Sequence, residues 1–506
     1  MNERVVVIGA GMAGLWTALA LAPTGREVVL LERDPPPPQG DFGGDLGGDG
    51  LDAAFHDWSR RGVGQLRHSH AFLARLRLLI RDQHPELLAE LMAAGCRELR
   101  FEDGLTDLHR ARFTPQPADA DLSILTSRRT TLELVMRRYV TRLAGVSLRT
   151  GVFVRDLTIA AGQPPRVTGV TLEDGEAIPA DLVVDASGHT SQTIDQLAAA
   201  GVAIAETSEP SGVIYFTRHY RMRPGAEEPP RGQASATGDL GYLKFGVFPG
   251  DNGCFSVTLC VPEVEEEMRK AVVAPETFDA VCAQLPGVAA WIEPARAEPV
   301  SRVFGMGKLE SRWRDLAPGG QPAVLGFFPV GDSLVRSNPL YGRGCSFAGV
   351  SAYLLRGALE ASADPAERVR LYQRATESEL RPYYDAMRRA DQSAIRRARR
   401  ALLPPRKPSL RARILQSFVE DAVTVAVRSD PDLLRASLRG FHMLEDPQAW
   451  LRRPDALIRI LGYWARGKRA NAAAYRPKLE PERREMLTAV GVSPDADEAR
   501  VRAAAA

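Results

Sequence analysis

The run Arg4-Val-Val-Val-Ile8 leads directly into Gly9-Ala10-Gly11-Met12-Ala13-Gly14, and no other feature restricts the fold of this chain as much. β-Branched residues ending in glycine read as a short buried strand. The small and apolar stretch Met12–Leu21 reads as a helix, and Glu27–Glu32 (EVVLLE) as a second buried strand. Together they form a βαβ unit, the opening of a parallel α/β sheet. In such a unit the first glycine makes the tight turn and the second admits a pyrophosphate close to the backbone. The third packs helix on strand, and the helix N-terminus offers amide donors to phosphate. Glu32 ends the second strand 18 residues after Gly14, where a carboxylate accepts from ribose hydroxyls. Strand, helix and terminal acid together predict a bound dinucleotide.

Composition narrows the class. At 506 residues the chain exceeds one ordinary core and predicts two or three sub-structures. Hydrophobic residues at 44% and charged residues at 25% are the balance of a globular chain. Lys+Arg 65 against Asp+Glu 63 leaves a net charge of +2, which gives no ground for a nucleic-acid partner. Cys96, Cys254, Cys260, Cys282 and Cys345 are odd in number, scattered and without a CxxC pair. That excludes a disulfide framework, argues against a thiolate metal site and fits a reducing cytoplasm. The apolar run 5–22 is interrupted by Gly9, Gly11 and Gly14, unlike a signal peptide or a spanning helix. The expectation is a cytoplasmic chain, soluble or at most peripheral to a membrane.

Further along, 34–50 (DPPPPQGDFGGDLGGDG) reads as a mobile loop. Residues 66–91 read as a helix with several Arg on its polar side, 128–144 as another amphipathic helix, and 146–184 as a small β-meander. Residues 205–305 carry strand-like pieces with a helical stretch near Phe278, 322–329 resumes buried-strand character, and from Ser351 the chain is almost entirely helical. Between Arg388 and Arg413 stand ten Lys/Arg and one acid, Asp391. This run reads first as a solvated helical face, with contact to anionic lipid or an acidic partner as the functional alternative.

The second informative motif is Gly331-Asp332-Ser-Leu-Val-Arg-Ser-Asn338-Pro339-Leu-Tyr341-Gly342-Arg-Gly344-Cys-Ser-Phe-Ala348, which follows a buried strand and enters a helix. With it the chain resembles the flavoprotein monooxygenases of the para-hydroxybenzoate hydroxylase type, in particular bacterial hydroxylases and epoxidases with a Gly-Asp…Asn-Pro-x-Tyr-Gly-x-Gly segment. The resemblance covers roughly 1–360 in order and more loosely the helical tail. It implies that Asp332 bonds the FAD ribityl chain, that the Pro339 turn lies against the flavin ring, and that Gly342 to Gly344 aim amides at its N1/O2 edge. A helix N-terminus there stabilises the negative charge of reduced flavin. Three more segments are similar. Ser127-Arg128-Arg129-Thr-Thr-Leu132-Glu133 implies Arg129 over the cofactor, and Gly64-Gln65-Leu-Arg-His68-Ser-His70 implies Gln65 beside the flavin. Asp185-Ala-Ser-Gly188-His189-Thr-Ser191 occupies the family's second Asp-Gly position, which places His189 near the cofactor rather than as a substrate base. The implied binding set is Gly9, Gly11, Ala13, Gly14, Glu32, Arg33, Gln65, Arg129, Asp185, Gly188, Gly331, Asp332, Gly342 and Gly344.

The fold implied is a Rossmann-like FAD-binding α/β domain (1–78, 128–204 and 305–360) interleaved with an antiparallel β-sheet substrate domain (79–127 and 205–304) and followed by a helical region (361–506). The activity implied is monooxygenation of an apolar or aromatic small molecule through a C4a-hydroperoxyflavin, with O2 as co-substrate. The cofactor carries that chemistry, so few catalytic side chains need show. An FAD-dependent reductase or dehydrogenase of the geranylgeranyl-reductase type, working without O2, is the alternative. The segment after Asp185 departs from the phenolic hydroxylases by lacking the arginine that follows in Asp-Gly-x-x-Ser-x-x-Arg. Electrons are therefore expected either from NAD(P)H directly or as reduced flavin from a separate reductase. There is no second GxGxxG, which excludes two-dinucleotide enzymes, and the Trp-x-Trp-x-Ile-Pro signature of flavin halogenases is absent too. His68 with His70, and Asp41, Asp45 and Asp49, are weak metal candidates without the ligand spacing a metal needs, so no metal is expected.

Overall fold

The computed structural model describes residues 3–40, 47–230, 234–404, 407–475 and 478–504. A 5-stranded parallel sheet runs in the order Phe327–Pro329, Leu182–Asp185, Arg4–Ile8, Glu27–Glu32 and Val146–Thr150. Its central strand, with Val5, Val6 and Val7 fully buried, is apolar on both faces because both are covered. One face carries the helices Met12–Leu21, Arg129–Val140 and Gly344–Ala361, which share a core through Leu15, Val135 and Phe347. The other face carries the meander Val154–Ala160, Arg166–Leu172 and Ala177–Pro179, which meets it at Val29, Val167 and Val170.

A second, antiparallel sheet is built on Val213–Met222 and Cys254–Pro262. Every residue of Cys254–Pro262 is buried, and the strand period of two divides them. Phe255, Val257, Leu259 and Val261 pack on the helices Pro275–Ala283 and Pro286–Ile292, whereas Ser256 and Thr258 turn to the opposite side and bond Ser69 at 2.7 Å each. Arg128 fastens the two sheets. Its guanidinium meets Asp251 at 2.7 Å and Asp52 at 2.6 Å. The α/β fold with an antiparallel sheet and C-terminal helices is thus present.

Several elements differ from expectation. The segment 66–91 holds a short strand, Ala71–Phe72, then two helices, Ala74–Gln83 and Pro85–Ala93. Pro85 cannot donate into a continuing helix, and the preceding residues are drawn to the sheet by Ser69. Ile80, Leu87 and Leu91 pack in the core of the parallel sheet, so the first part of 79–127 does not group with the antiparallel one. The basic helix Arg129–Val140 shows no solvated polar side: Glu133 and Arg137 are fully buried. The loop expected over 34–50 ends in a helix, Gly48–Asp57, that contains Asp49; Asp41 and Asp45 lie outside the described residues.

The tail is helical as expected, but it serves three cores. Tyr372 and Tyr384 join the parallel-sheet core, Val425, Leu433 and Ile460 form their own, and Met486 and Leu487 enter that of the antiparallel sheet. Among the described residues no helix is long and apolar enough to cross a membrane.

Candidate functional site

The C-terminal ends of the parallel strands open into a cavity of about 970 Å³ that continues to the antiparallel sheet. Gly9, Gly11, Ala13, Glu32, Arg33, Gln65, Arg129, Gly188, Asp332, Pro339, Gly342 and Gly344 all line it, although the sequence spreads them from Gly9 to Gly344. Gly14, Asp185 and Gly331 do not. A Cβ on Gly14 would stand 1.9 Å from the Gly9 carbonyl oxygen, so this glycine lets the helix close on the strand, the packing role read from the motif. Gly331 adopts φ +63°, and a Cβ there would meet the Ala13 methyl at 2.8 Å. The Asp185 carboxylate is fully buried and accepts from the Ser187 amide at 3.0 Å, Ser191 Oγ at 2.6 Å and Thr193 Oγ1 at 2.7 Å. It shapes the 186–193 turn instead of reaching the cavity, which corrects its expected place among the binding residues.

At the polar end Glu32 accepts from the Ala10 amide and the Asp34 amide, both at 2.9 Å. Sequence reading missed its third partner. Arg60 is 8% exposed, lies 3.0 Å from Glu32, and also pairs with Glu133 and Asp34. Burial would lower the Arg60 pKa, but Glu133, Glu32 and Asp34 outweigh it and the guanidinium is held charged. Arg129 bonds Glu133 at 3.2 Å. Nothing local in Ser59-Arg60-Arg61-Gly62 announces this role, because its partners come from three distant segments.

Opposite, Pro339–Tyr341 forms a short turn capped by Asn338, and Gly342 at φ +64° passes the chain into the helix Gly344–Ala361. A Cβ on Gly342 would press on the Ala71 carbonyl at 3.3 Å. Among the described residues no group donates to the Asp332 carboxylate, which faces the cavity. His189 lines the same region, its pKa lowered by burial and then by Arg336. Cys345 borders the cavity with its thiol pushed up to about 11 by burial.

Between the two sheets, His68 Nδ1 bonds Thr217 Oγ1 at 2.9 Å and His70 Nδ1 bonds the His68 carbonyl at 2.8 Å. Burial lowers the two histidines to about 4 and about 3, so both are neutral imidazoles that hold the 65–70 segment in place. Among the described residues no group of three or more His, Cys, Asp or Glu could hold a metal. Beyond them the cavity is lined by Tyr215 and Phe248, from the 205–305 segment, and by Leu309 and Leu340, with Lys244 and Asp239, paired at 3.1 Å, also in its wall. Phe441 and His442 also line it, a contribution from the tail that no motif signalled.

Residues 4–358 match the family described as DAO, FAD dependent oxidoreductase. The chain belongs to the FAD-dependent oxidoreductases. It is 28% identical over 387 residues to Protein Rv3254 of Mycobacterium tuberculosis, covering 71% of this chain and 73% of that one. Solved structures share the fold at low identity. PqsL, a probable FAD-dependent monooxygenase from Pseudomonas aeruginosa, aligns with a TM-score of 0.54 at 16% identity over 78% of this chain and 98% of its own. The Diels-Alderase PyrE3 of pyrroindomycin biosynthesis aligns with a TM-score of 0.57 at 15% identity over 88% and 81%. In this FAD-dependent oxidoreductase the cavity lies outside the carboxyl ends of the parallel strands, the position where open α/β sheets bind ligands.

Proposed function

We propose that this FAD-dependent oxidoreductase is a monooxygenase that hydroxylates or epoxidises an apolar or aromatic small molecule. One observation carries the reading: one cavity is lined both by the Gly9–Gly11 turn and Glu32 and by Tyr215, Phe248, Leu309 and Leu340, with the Pro339–Tyr341 turn in the same wall. The residues fit FAD. Gly11 leaves its backbone uncovered, the Glu32 carboxylate borders the cavity while held by two amides, and Asp332 offers an acceptor without a protein donor among the described residues.

In this reading the amides that open the helix Met12–Leu21 hold the pyrophosphate, Glu32 accepts from the adenosine ribose, and Asp332 accepts from the ribityl hydroxyls. Gly342 and Gly344 bring the N-terminus of an 18-residue helix to the ring edge where negative charge gathers on reduction. Bound and reduced, FAD supplies activation of O2 for transfer of one oxygen atom to substrate, with water as the other product. Phe248, Leu309 and Leu340 hold the substrate and exclude water.

The test uses the reduced holoprotein with ¹⁸O2 and a panel of lipophilic aromatic and alkenyl compounds. One labelled oxygen atom in a product, with no turnover under argon, is the expected result. Turnover under argon without oxygen incorporation overturns the reading in favour of a reductase or dehydrogenase.

A further inference from the structure

We propose that the helix Leu410–Ser417, with the adjoining stripe of the helix Pro454–Ala470, docks on an anionic lipid surface. The inference is independent of the monooxygenase reading. Eleven large hydrophobic side chains are exposed among the described residues; six of them lie on these two helices and a seventh, Val419, two residues past the first. On the first, Leu410 is 70% exposed and Leu415 63%, with Ile414 and Val419 beside them; on the second, Ile458 is 70% exposed, with Leu457 and Leu461. No residue of Leu410–Ser417 is buried, whereas Ala422, Val425 and Ala426 further along the same run enter a core. The helix therefore stands proud of the body with its apolar side chains uncovered.

The two segments form one surface. Phe418 meets Trp464 edge-on at 5.6 Å, and Trp464 Nε1 donates to Ser417 Oγ at 3.2 Å. Trp464 follows Leu461 by three positions and Leu457 by seven, so all three share one helix face. The apolar stripe thus runs from the projecting helix across Phe418 and Trp464 to Leu461 and Leu457.

Charge selects the occupant. Residues 392–419 hold eight Lys/Arg and no acid. Of these, Arg396, Arg399, Arg400, Lys407, Arg411 and Arg413 are exposed and have no ion pair among the described residues. The acids flanking this run are Asp391, buried and bonded by Asn338 and Tyr341, Glu420, which accepts from Gln416, and Asp421, which is paired with Lys468 at 3.4 Å; the second helix adds the exposed Asp455. Apolar side chains projecting from a helix among unpaired cations is the pattern of a segment lying in the headgroup layer. A second copy of this chain would bring the same positive charge to the contact.

The experiment sediments full-length holoprotein with phosphatidylcholine vesicles, with and without phosphatidylglycerol. We expect pelleting with the anionic vesicles and little with neutral ones. Ile414→Asp/Leu415→Asp and Arg411→Gln/Arg413→Gln should each weaken partition about tenfold while flavin absorbance and melting temperature stay unchanged. Equal partition of wild type and both pairs, or none to anionic vesicles, overturns the proposal. A doubled mass in solution that Ile414→Asp/Leu415→Asp halves assigns the face to a second copy and overturns it. Capture by polyglutamate but not by vesicles assigns it to an acidic protein and also overturns it.

Discussion

Asn338 Nδ2 donates to Asp391 Oδ1 at 2.9 Å, joining the turn beside the cavity to a helix 53 positions further on. Tyr341 Oη donates to the same oxygen at 2.9 Å, and Tyr215 Oη donates to Asn338 Oδ1 at 2.5 Å. The acid within the basic run is thus an interior anchor of the turn, and the helix Arg381–Ala401 that carries it is a packed element.

Asp391 is 4% exposed, and among the described residues its Oδ2 has no partner. Burial pushes its carboxyl from 3.8 up to about 6, against the pull of Asn338 and Tyr341. The folded state therefore favours the proton. Its stabilising contribution is complete below pH 3.8 and is lost as pH rises through about 6. Asp391→Asn keeps one acceptor and removes the charge, so the variant should gain on the order of 2 kcal/mol over wild type at pH 8 and nothing at pH 4. Thermal melts of the holoproteins across that range check the crossover.

Arg60→Ala should cost about 3 kcal/mol, because it takes the shared cation from the buried carboxylates of Glu32, Asp34 and Glu133 and leaves Glu32 with backbone amides alone. Arg60→Met with Glu133→Gln should recover part of the loss by removing a charge together with its partner. Denaturant midpoints of the two variants decide whether the network acts as a unit.

Gly14→Ala and Gly11→Ala should separate folding from cofactor retention. The first forces a methyl to within 1.9 Å of backbone and should lower stability by about 3 kcal/mol or more. The second meets only the end of the Arg60 side chain at 3.5 Å and should leave the melting temperature of the apoprotein intact while weakening FAD retention. Paired melts and flavin absorbance after dialysis measure both.

Asp332→Ala should weaken FAD binding roughly ten- to hundredfold with the fold unchanged, as expected for the loss of a charged acceptor worth about 1.5–3 kcal/mol. Wild-type flavin occupancy after dilution would remove the assigned role.

Reduction should be slow with NADH or NADPH alone and much faster with a separate reductase supplying electrons. The chain lacks a second GxGxxG, and no arginine follows Ser191 at the place where the phenolic hydroxylases carry one. Stopped-flow bleaching of the oxidised flavin in the presence of substrate is the measurement, and rapid bleaching by either nicotinamide would make the enzyme self-sufficient.

The glycine motif and Glu32 were legible because the chemistry that demands them is local: a tight turn, a close approach and a carboxylate at a strand end. Asp332 to Gly344 was legible for the same reason. Arg60 was not, since its meaning depends on carboxylates at positions 32, 34 and 133 that only the fold assembles. The polar residues of Arg129–Val140 misled because helical spacing shows which side chains are polar without showing that a buried counter-charge awaits them. Asp185 misled in the opposite way: a motif position that reads as ligand-facing is occupied by a carboxylate whose acceptor sites are filled by Ser187, Ser191 and Thr193.

The cavity wall is drawn from segments as far apart as Gly9 and His442. During synthesis the βαβ unit leaves the ribosome ahead of the other segments of the cavity wall and can meet the adenosine half of the cofactor early. The chamber for the substrate is closed only after the tail has emerged and folded back. Truncations before Phe441 should therefore yield chains that still hold FAD yet leave its reactive side open to water, so that reducing equivalents drain into hydrogen peroxide instead of product.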